Sequence, residues 1–118
     1  MVGIVVVSHS HMLAEAAVEL ALQMVPGGRP PIAVAAGAGE GIFGTDAVRV
    51  AEAITEVASP DGVLVLMDLG SAVLSAEMAL DLVGDFGCKV ELCSGPFVEG
   101  TVAAVVHASS GASLDSVL

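Results

Sequence analysis

Short aliphatic runs alternate along the chain with longer segments in which apolar residues recur every three or four positions. The short runs predict strands at Gly3–Val7, Ile32–Ala36, Val63–Met67 and Lys89–Cys93. The longer segments predict helices at Met12–Met24, at Asp46–Ala58, from the "DLGS" segment (68–71) through Leu82, and at Phe97–Ala108. Such alternation is typical of parallel sheets with right-handed crossovers. We therefore predict a doubly wound, three-layer α/β fold with a mainly parallel sheet, forming one domain over residues 1–118.

The loops that follow the strands indicate where a functional site would lie. In a doubly wound sheet, ligands bind at the carboxyl ends of the strands, near the point where the strand order reverses. The loops that gather there are "SHSH" (8–11), "GAGEGIFGT" (37–45), "DLGS" (68–71) and "SGPFVE" (94–99). His9 and Asp68 each come within two positions of a strand end. We therefore expect both side chains to point into one crevice.

An imidazole at position 9 is suited to carrying a phosphoryl group. Histidine is a competent nucleophile at neutral pH, and the free amide groups at the start of the next helix favour an anion. Asp68 is the candidate to hold the opposite ring nitrogen, which would fix the tautomer and offset positive charge as the ring reacts. The alternative interpretation of His9, as a loop or capping residue without chemistry, stays open at this point.

Charge and composition narrow the classes of function. The net charge is −11, and the fixed cations are Arg29, Arg49 and Lys89. Nucleic acid is therefore not expected as a partner, because too few cations are present to neutralise phosphates. A protein with a basic surface would instead be attracted by the negative charge of this chain. We find no P-loop motif, no membrane-length apolar run and no basic leader, and we expect a cytoplasmic protein without its own nucleotide site or membrane contact. Cys88 and Cys93 fit no zinc motif, and we interpret both as small buried hydrophobic residues.

The other two histidines do not indicate a metal site. His11 forms a His-x-His pair with His9, but alternate residues at a strand–helix junction need not converge, and a third ligand such as Asp68 would be required. We therefore predict no metal ion. His11 is interpreted as an exposed residue of the first helical turn, and His107 as a residue on the face of the last helix.

Several glycine and hydroxyl residues near the predicted crevice have two possible roles. The segment "GEGIFG" (39–44) matches G-x-G-x-x-G but follows the second strand without the expected acidic residue, so it is either a loop that approaches a phosphoryl group or a plain connector. Thr45 is a plausible N-cap of the second helix. Ser71 either caps the third helix or donates a hydrogen bond into the crevice. Glu99 complements the dipole of the last helix.

The segments "GIVVVSHSHMLAEA", "GTDAV", "VLVLMDLGSAVLSAEMAL" and "GPFVEGTVAA" together resemble a known family. They are similar to the mannose-type IIA domains of the sugar phosphotransferase system, and within that group to the phosphotransferase subunits of dihydroxyacetone kinases that use phosphoenolpyruvate. The resemblance spans nearly the whole chain. Sugar-transport members typically carry a glycine-glycine-serine-proline segment after the aspartate. Here "DLGSAVLSAE" stands in its place, which favours the kinase subunit.

The resemblance implies a phosphohistidine relay. His9 would take a phosphoryl group from the histidine-containing phosphocarrier protein and pass it to ADP on the kinase's nucleotide-binding subunit, and the ATP formed there, with its Mg²⁺, would phosphorylate dihydroxyacetone on a third subunit. The chain would need no cofactor of its own. Asp68 would hydrogen-bond His9, and the domain would form a homodimer. The residues expected to support the phosphoryl site are Ser10, Gly39, Gly44, Thr45, Gly70 and Ser71.

Two other functions remain open from the sequence. The same relay chemistry would suit the IIA component of a mannose-type sugar transporter. A non-catalytic module that senses a metal or nucleotide would instead use His9, His11 and the glycine-rich loop.

Overall fold

A computed structural model describes residues 1–25, 27, 29–36, 46–68, 70–83, 89–93 and 95–114. Strands and helices alternate along the described chain. The strands are β1 (Gly3–Ser8), β2 (Ile32–Ala36), β3 (Val63–Met67) and β4 (Val90–Cys93), and the helices are α1 (His11–Gln23), α2 (Ala47–Glu56), α3 (Gly70–Val83) and α4 (Phe97–Ser109). These elements confirm the predicted ones, with their ends displaced by one or two residues in several cases.

The strands form one parallel sheet with the order β2-β1-β3-β4. The chain passes from β1 to β2 on one side and then crosses back to β3 on the other. The strand order therefore reverses between β1 and β3, which is where doubly wound sheets bind ligands. Val7 of β1 is paired with Met67 of β3. The residues that follow these two strands consequently emerge next to each other at the carboxyl edge.

Helices cover both faces of the sheet, so the predicted three-layer arrangement is confirmed. Side chains of successive strand residues point to opposite faces. Val5 and Val65 lie in a core cluster with residues of α2 and α3, whereas Ile4 and Leu64 lie in a second cluster with residues of α1 and α4. Every residue of β1 and β3 is buried. This explains why these strands are continuous aliphatic runs rather than alternating ones.

Small residues let helices on both faces approach the sheet closely. A Cβ atom at Gly3 would lie 2.2 Å from the carbonyl oxygen of Val57, at the C-terminal end of α2. Alanines form the buried face of α1 at Ala14, Ala17 and Ala21. The position of α2 above the start of β1 therefore depends on the missing side chain at residue 3.

The predicted cap of the second helix is wrong. Asp46, not Thr45, is the N-cap of α2, because its backbone is extended and its side chain accepts a hydrogen bond from the Val48 amide. Aspartate and threonine are both favoured at N-caps, so the pattern of residues alone did not distinguish them. Thr45 itself lies outside the described residues.

Cys93 packs against a core cluster as a hydrophobic residue but is less buried than predicted. Its side chain is half-buried, as are all residues of β4, because β4 is an edge strand and has a neighbour on only one side. The Cys93 sulfur accepts a hydrogen bond from the Gly95 amide at 3.4 Å. Cys88 lies outside the described residues.

Candidate active site

The candidate site lies at the carboxyl edge of the sheet, at the reversal point between β1 and β3. His9 follows β1 directly, and Asp68 follows β3. The two residues are 59 positions apart in the chain, yet His9 Nδ1 and Asp68 Oδ1 are 3.0 Å apart. The structure therefore brings the two predicted site residues into hydrogen-bonding contact.

Burial differs between the two members of this pair. The His9 side chain is 23% exposed, whereas the Asp68 side chain is only 8% exposed. A macromolecule that approaches the edge of the sheet can therefore reach the imidazole, while the carboxylate lies behind it. A buried carboxylate requires hydrogen-bond donors, since an ionised carboxylate can only accept.

The second carboxylate oxygen of Asp68 accepts hydrogen bonds from β1. The Ser8 hydroxyl donates to Asp68 Oδ2 at 2.8 Å, and the backbone amide of His9 donates to the same oxygen at 3.0 Å. The carboxylate is thus held on both oxygens, with Oδ1 directed to the imidazole. A carboxylate at Nδ1 places the ring proton on that nitrogen and leaves the nucleophilic lone pair to Nε2.

Ser8 was not identified as a site residue from the sequence. It is completely buried at the end of an otherwise aliphatic strand. The sequence does contain one indication of its role. A serine ends an otherwise aliphatic strand and stands immediately before the candidate nucleophile. Its contact with Asp68 was not visible, because Asp68 follows a different strand and is 60 positions away in the chain.

Helix α1 begins beside His9, and Ser10 is its N-cap. The Ser10 hydroxyl accepts a hydrogen bond from the Leu13 amide at 3.3 Å. The first turn of α1 contains no acidic residue, and neither does the first turn of α3, although the chain carries 14 Asp and Glu residues. Helix N-termini without acidic side chains attract anions. The edge of the sheet at His9 is therefore suited to a phosphoryl group.

The other predicted support residues fall into two groups. Gly70 and Ser71 begin α3, so Ser71 lies in the first helical turn rather than at the cap. Gly39, Gly44 and Thr45 lie outside the described residues. In α4, Glu99 lies in the first turn, as the dipole interpretation predicted.

The remaining histidines, His11 and His107, lie on helices α1 and α4. His11 is the first residue of α1, and its Nε2 lies 2.9 Å from Glu15 Oε1, one turn along the helix. His107 is exposed in the last turn of α4. Among the described residues, no group of three or more His, Cys, Asp or Glu side chains is arranged to hold a metal ion.

The parallel α/β sheet thus holds a histidine–aspartate pair at its switch point. The family model EIIA-man, described as the PTS system fructose IIA component, matches residues 3–118, and the chain belongs to this family. The solved structure of EF1359, a protein of unknown function, superimposes with a TM-score of 0.82 at 32% identity, covering 100% of this chain and 91% of that one. No helix in the described part of the chain has the length and apolar character needed to cross a bilayer.

Two relatives share a more specific name. The phosphoryl donor subunit DhaM of the PEP-dependent dihydroxyacetone kinase of Escherichia coli (strain K12) is 53% identical over 121 residues, which cover the whole of this chain and 26% of that protein. The phosphoryl donor subunit DhaM of PEP-dependent dihydroxyacetone kinase 2 from Listeria innocua is 34% identical, covering 100% of this chain and 94% of that protein. The chain thus spans about a quarter of the length of the first relative and nearly all of the second.

Proposed function

We propose that this chain is a phosphoryl carrier of a phosphoenolpyruvate-dependent dihydroxyacetone kinase, with His9 as the residue that is phosphorylated. The observation that carries the proposal is the 3.0 Å contact between His9 Nδ1 and Asp68 Oδ1 at the switch point of the sheet. The names of the relatives support the choice of kinase. The site handles only a covalently attached phosphoryl group, and the ADP and Mg²⁺ belong to the nucleotide-binding partner subunit.

The first transfer is written as a displacement at phosphorus. The lone pair of His9 Nε2 attacks the phosphoryl group on the histidine-containing phosphocarrier protein. A new P–N bond forms to Nε2, and the donor's P–N bond breaks with its electron pair returning to the donor imidazole. His9 retains its Nδ1 proton throughout, so the ring becomes positively charged, and Asp68 stabilises that charge.

The second transfer breaks the P–N bond that the first transfer formed. A β-phosphate oxygen of ADP, held on the nucleotide-binding subunit, attacks the phosphorus, and the P–N bond breaks with its electrons returning to Nε2. The products are ATP and neutral His9. That ATP then phosphorylates a hydroxyl of dihydroxyacetone held on the third subunit, which leaves ADP on the nucleotide-binding subunit for the next cycle. The whole relay takes place in the cytoplasm, where phosphoenolpyruvate is available.

Two variants of neighbouring histidines test this assignment. The protein is incubated with phosphoenolpyruvate and the general phosphotransferase proteins, which include the histidine-containing phosphocarrier protein. We expect this to add one acid-labile phosphoryl group, which mass spectrometry detects. His9→Ala removes the label. His11→Ala is the matched control: its imidazole is exposed and bonded to Glu15, so labelling continues at the wild-type level. A label that persists without His9 would contradict the proposal.

A homodimer is part of the proposal. Its support is the outer face of α3, where Leu74, Met78 and Leu82 are 64%, 60% and 59% exposed. Residues four apart lie on the same side of a helix, so these side chains form one apolar row. Exposed apolar patches of this kind mark interaction sites. We propose that the row packs against the equivalent row of a second copy of the chain.

A sugar-transport role is the second candidate, because the matched family model is described as the fructose IIA component of the phosphotransferase system. The two candidates differ in the acceptor that follows His9. Phosphorylated protein that transfers its label to ADP in the presence of the purified kinase subunits supports the first. Transfer to a IIB component, with no ATP formed, supports the second.

A further inference from the structure

Ser8 connects the two halves of the candidate site. In the described part of the chain, Ser8 and Thr101 are the fully buried polar residues. The Ser8 hydroxyl donates to Asp68 Oδ2 at 2.8 Å and accepts a hydrogen bond from the Ser10 amide at 3.0 Å. One hydroxyl therefore joins β3, through Asp68, to the N-cap of α1.

The two contacts determine where the hydroxyl proton points. A backbone amide can only donate, so the Ser8 oxygen must be the acceptor for Ser10. An ionised carboxylate can only accept, so the single hydroxyl proton of Ser8 is directed at Asp68. Because the amide of Ser10 occupies the acceptor side, rotation of the hydroxyl away from Asp68 would break one contact without making another.

We propose that Ser8 is a positioning residue for phosphoryl transfer at His9. Its hydroxyl holds Oδ2 of Asp68, so that Oδ1 stays directed at His9 Nδ1 and the ring proton stays on that nitrogen. Nε2 is thereby kept as the nucleophile. The role in transfer rests on the proposed function of His9, whereas the control of the tautomer does not.

Removing the hydroxyl affects the pair through Asp68. In Ser8→Ala, the buried carboxylate loses a donor at 2.8 Å and keeps the His9 amide on that oxygen. Hydrogen bonds to charged groups are stronger than those between neutral groups, and a buried acceptor that loses its donor is destabilised. The carboxylate is then freer to rotate from Nδ1, and the Nε2–H tautomer becomes populated, in which Nε2 has no lone pair with which to attack phosphorus.

The experiment combines a rate with a spectroscopic readout. Single-turnover transfer from the phosphorylated carrier protein is measured for wild type, Ser8→Ala and Ser8→Thr, together with ¹⁵N–¹H correlation spectra of the His9 ring at a pH where it is neutral. We expect about tenfold slower transfer in Ser8→Ala, in line with the loss of one charge-assisted hydrogen bond. We also expect loss of the Nδ1–H signature. Ser8→Thr retains a hydroxyl, so we expect it to keep the wild-type transfer rate and the Nδ1–H tautomer.

Thr101→Val is the matched control. The Thr101 hydroxyl is fully buried in α4, and within the described chain it has no hydrogen-bond partner. Removing it deletes a buried hydroxyl of the same kind without touching the site, so the rate and the tautomer stay as in wild type. Thermal melts of all variants verify that the fold is intact.

The outcomes separate the two proposals. A folded Ser8→Ala with the wild-type tautomer overturns the positioning role, whatever its rate, because slow transfer without a tautomer change reflects a structural effect alone. If Ser8→Thr does not fold, Ser8→Cys replaces it, and its weak S–H donor is expected to give an intermediate tautomer population. Wild-type protein that shows the Nδ1–H tautomer but accepts no phosphoryl group would contradict the function of His9 and leave the role of Ser8 in the tautomer standing.

Discussion

At the scale of single residues, the site consists of one partly exposed imidazole and the groups that hold it. Asp68 accepts from His9 Nδ1 through one oxygen and from the Ser8 hydroxyl and the His9 amide through the other. This arrangement resembles the logic of a catalytic triad, in which a carboxylate orients a histidine and stabilises its cation. Here the histidine itself is the proposed nucleophile.

Asp68→Asn is expected to slow phosphoryl transfer to His9 by about tenfold or more, because replacing the carboxylate that orients a reacting histidine costs at least that much. The amide is neutral, so it cannot offset the positive charge of the phosphorylated ring. Quench-flow measurement with the phosphorylated carrier protein tests this. The unfolding midpoint serves as the control, because the substitution keeps the shape of the side chain. Transfer at the wild-type rate would remove Asp68 from the mechanism.

At the scale of elements, the positions of the helices depend on small residues and on contacts at their ends. Arg49 of α2 donates to the carbonyl oxygen of Val34 at 2.9 Å, and its other terminal nitrogen lies 3.0 Å from Glu56. The first contact ties α2 to β2, an edge strand of the sheet. At the other end of the helix, Val57 rests against Gly3.

Gly3→Ala tests how closely α2 must approach the sheet. The new Cβ would lie 2.2 Å from the carbonyl oxygen of Val57, so the helix end must move. We expect the free energy of unfolding to fall by about 1–3 kcal/mol, as overpacking does in cores. Gly27→Ala is the matched control, since a Cβ there meets no atom within 4 Å. Urea denaturation compares the two variants, and equal midpoints would contradict the tight contact.

At the scale of the whole molecule, the net charge and the exposed apolar surface favour different kinds of partner. The net charge of −11 favours partners that present positive charge, since complementary fields accelerate encounter. The apolar row on α3 requires a different kind of contact, because it gains stability from burial rather than from charge. The proposed carrier and kinase partners fit the first feature, and a second copy of the chain fits the second.

The double variant Leu74→Glu, Met78→Glu is expected to shift the protein from dimer to monomer, because four acidic side chains would meet in the paired interface. Sedimentation velocity at micromolar concentration measures the change. Leu20→Glu is the control, since this leucine is also exposed, at 42%, but lies on α1. A wild-type protein that sediments as a monomer, or a double variant that stays dimeric, would exclude the proposed interface.

Local patterns predicted most of the fold and the His9–Asp68 pair of the candidate site. The strands and helices follow from periodicities that extend over a few residues, and this is why their bounds shifted by only one or two positions. His9 and Asp68 were identified because each follows a predicted strand. Ser8 was missed and Cys93 was placed in the core, because their surroundings are set by neighbouring strands that are distant in sequence.

The sequence by itself determined the order of strands and helices, the parallel α/β class and the two residues available for chemistry at the strand ends. Only the tertiary structure decided that β1 and β3 are neighbours in this register, with Nδ1 of His9 3.0 Å from Oδ1 of Asp68 and the Ser8 hydroxyl on the other oxygen. The physical reason is the distance along the chain over which each effect acts. Side-chain periodicity acts within one element, whereas strand pairing is settled by burying both faces of the whole sheet at once.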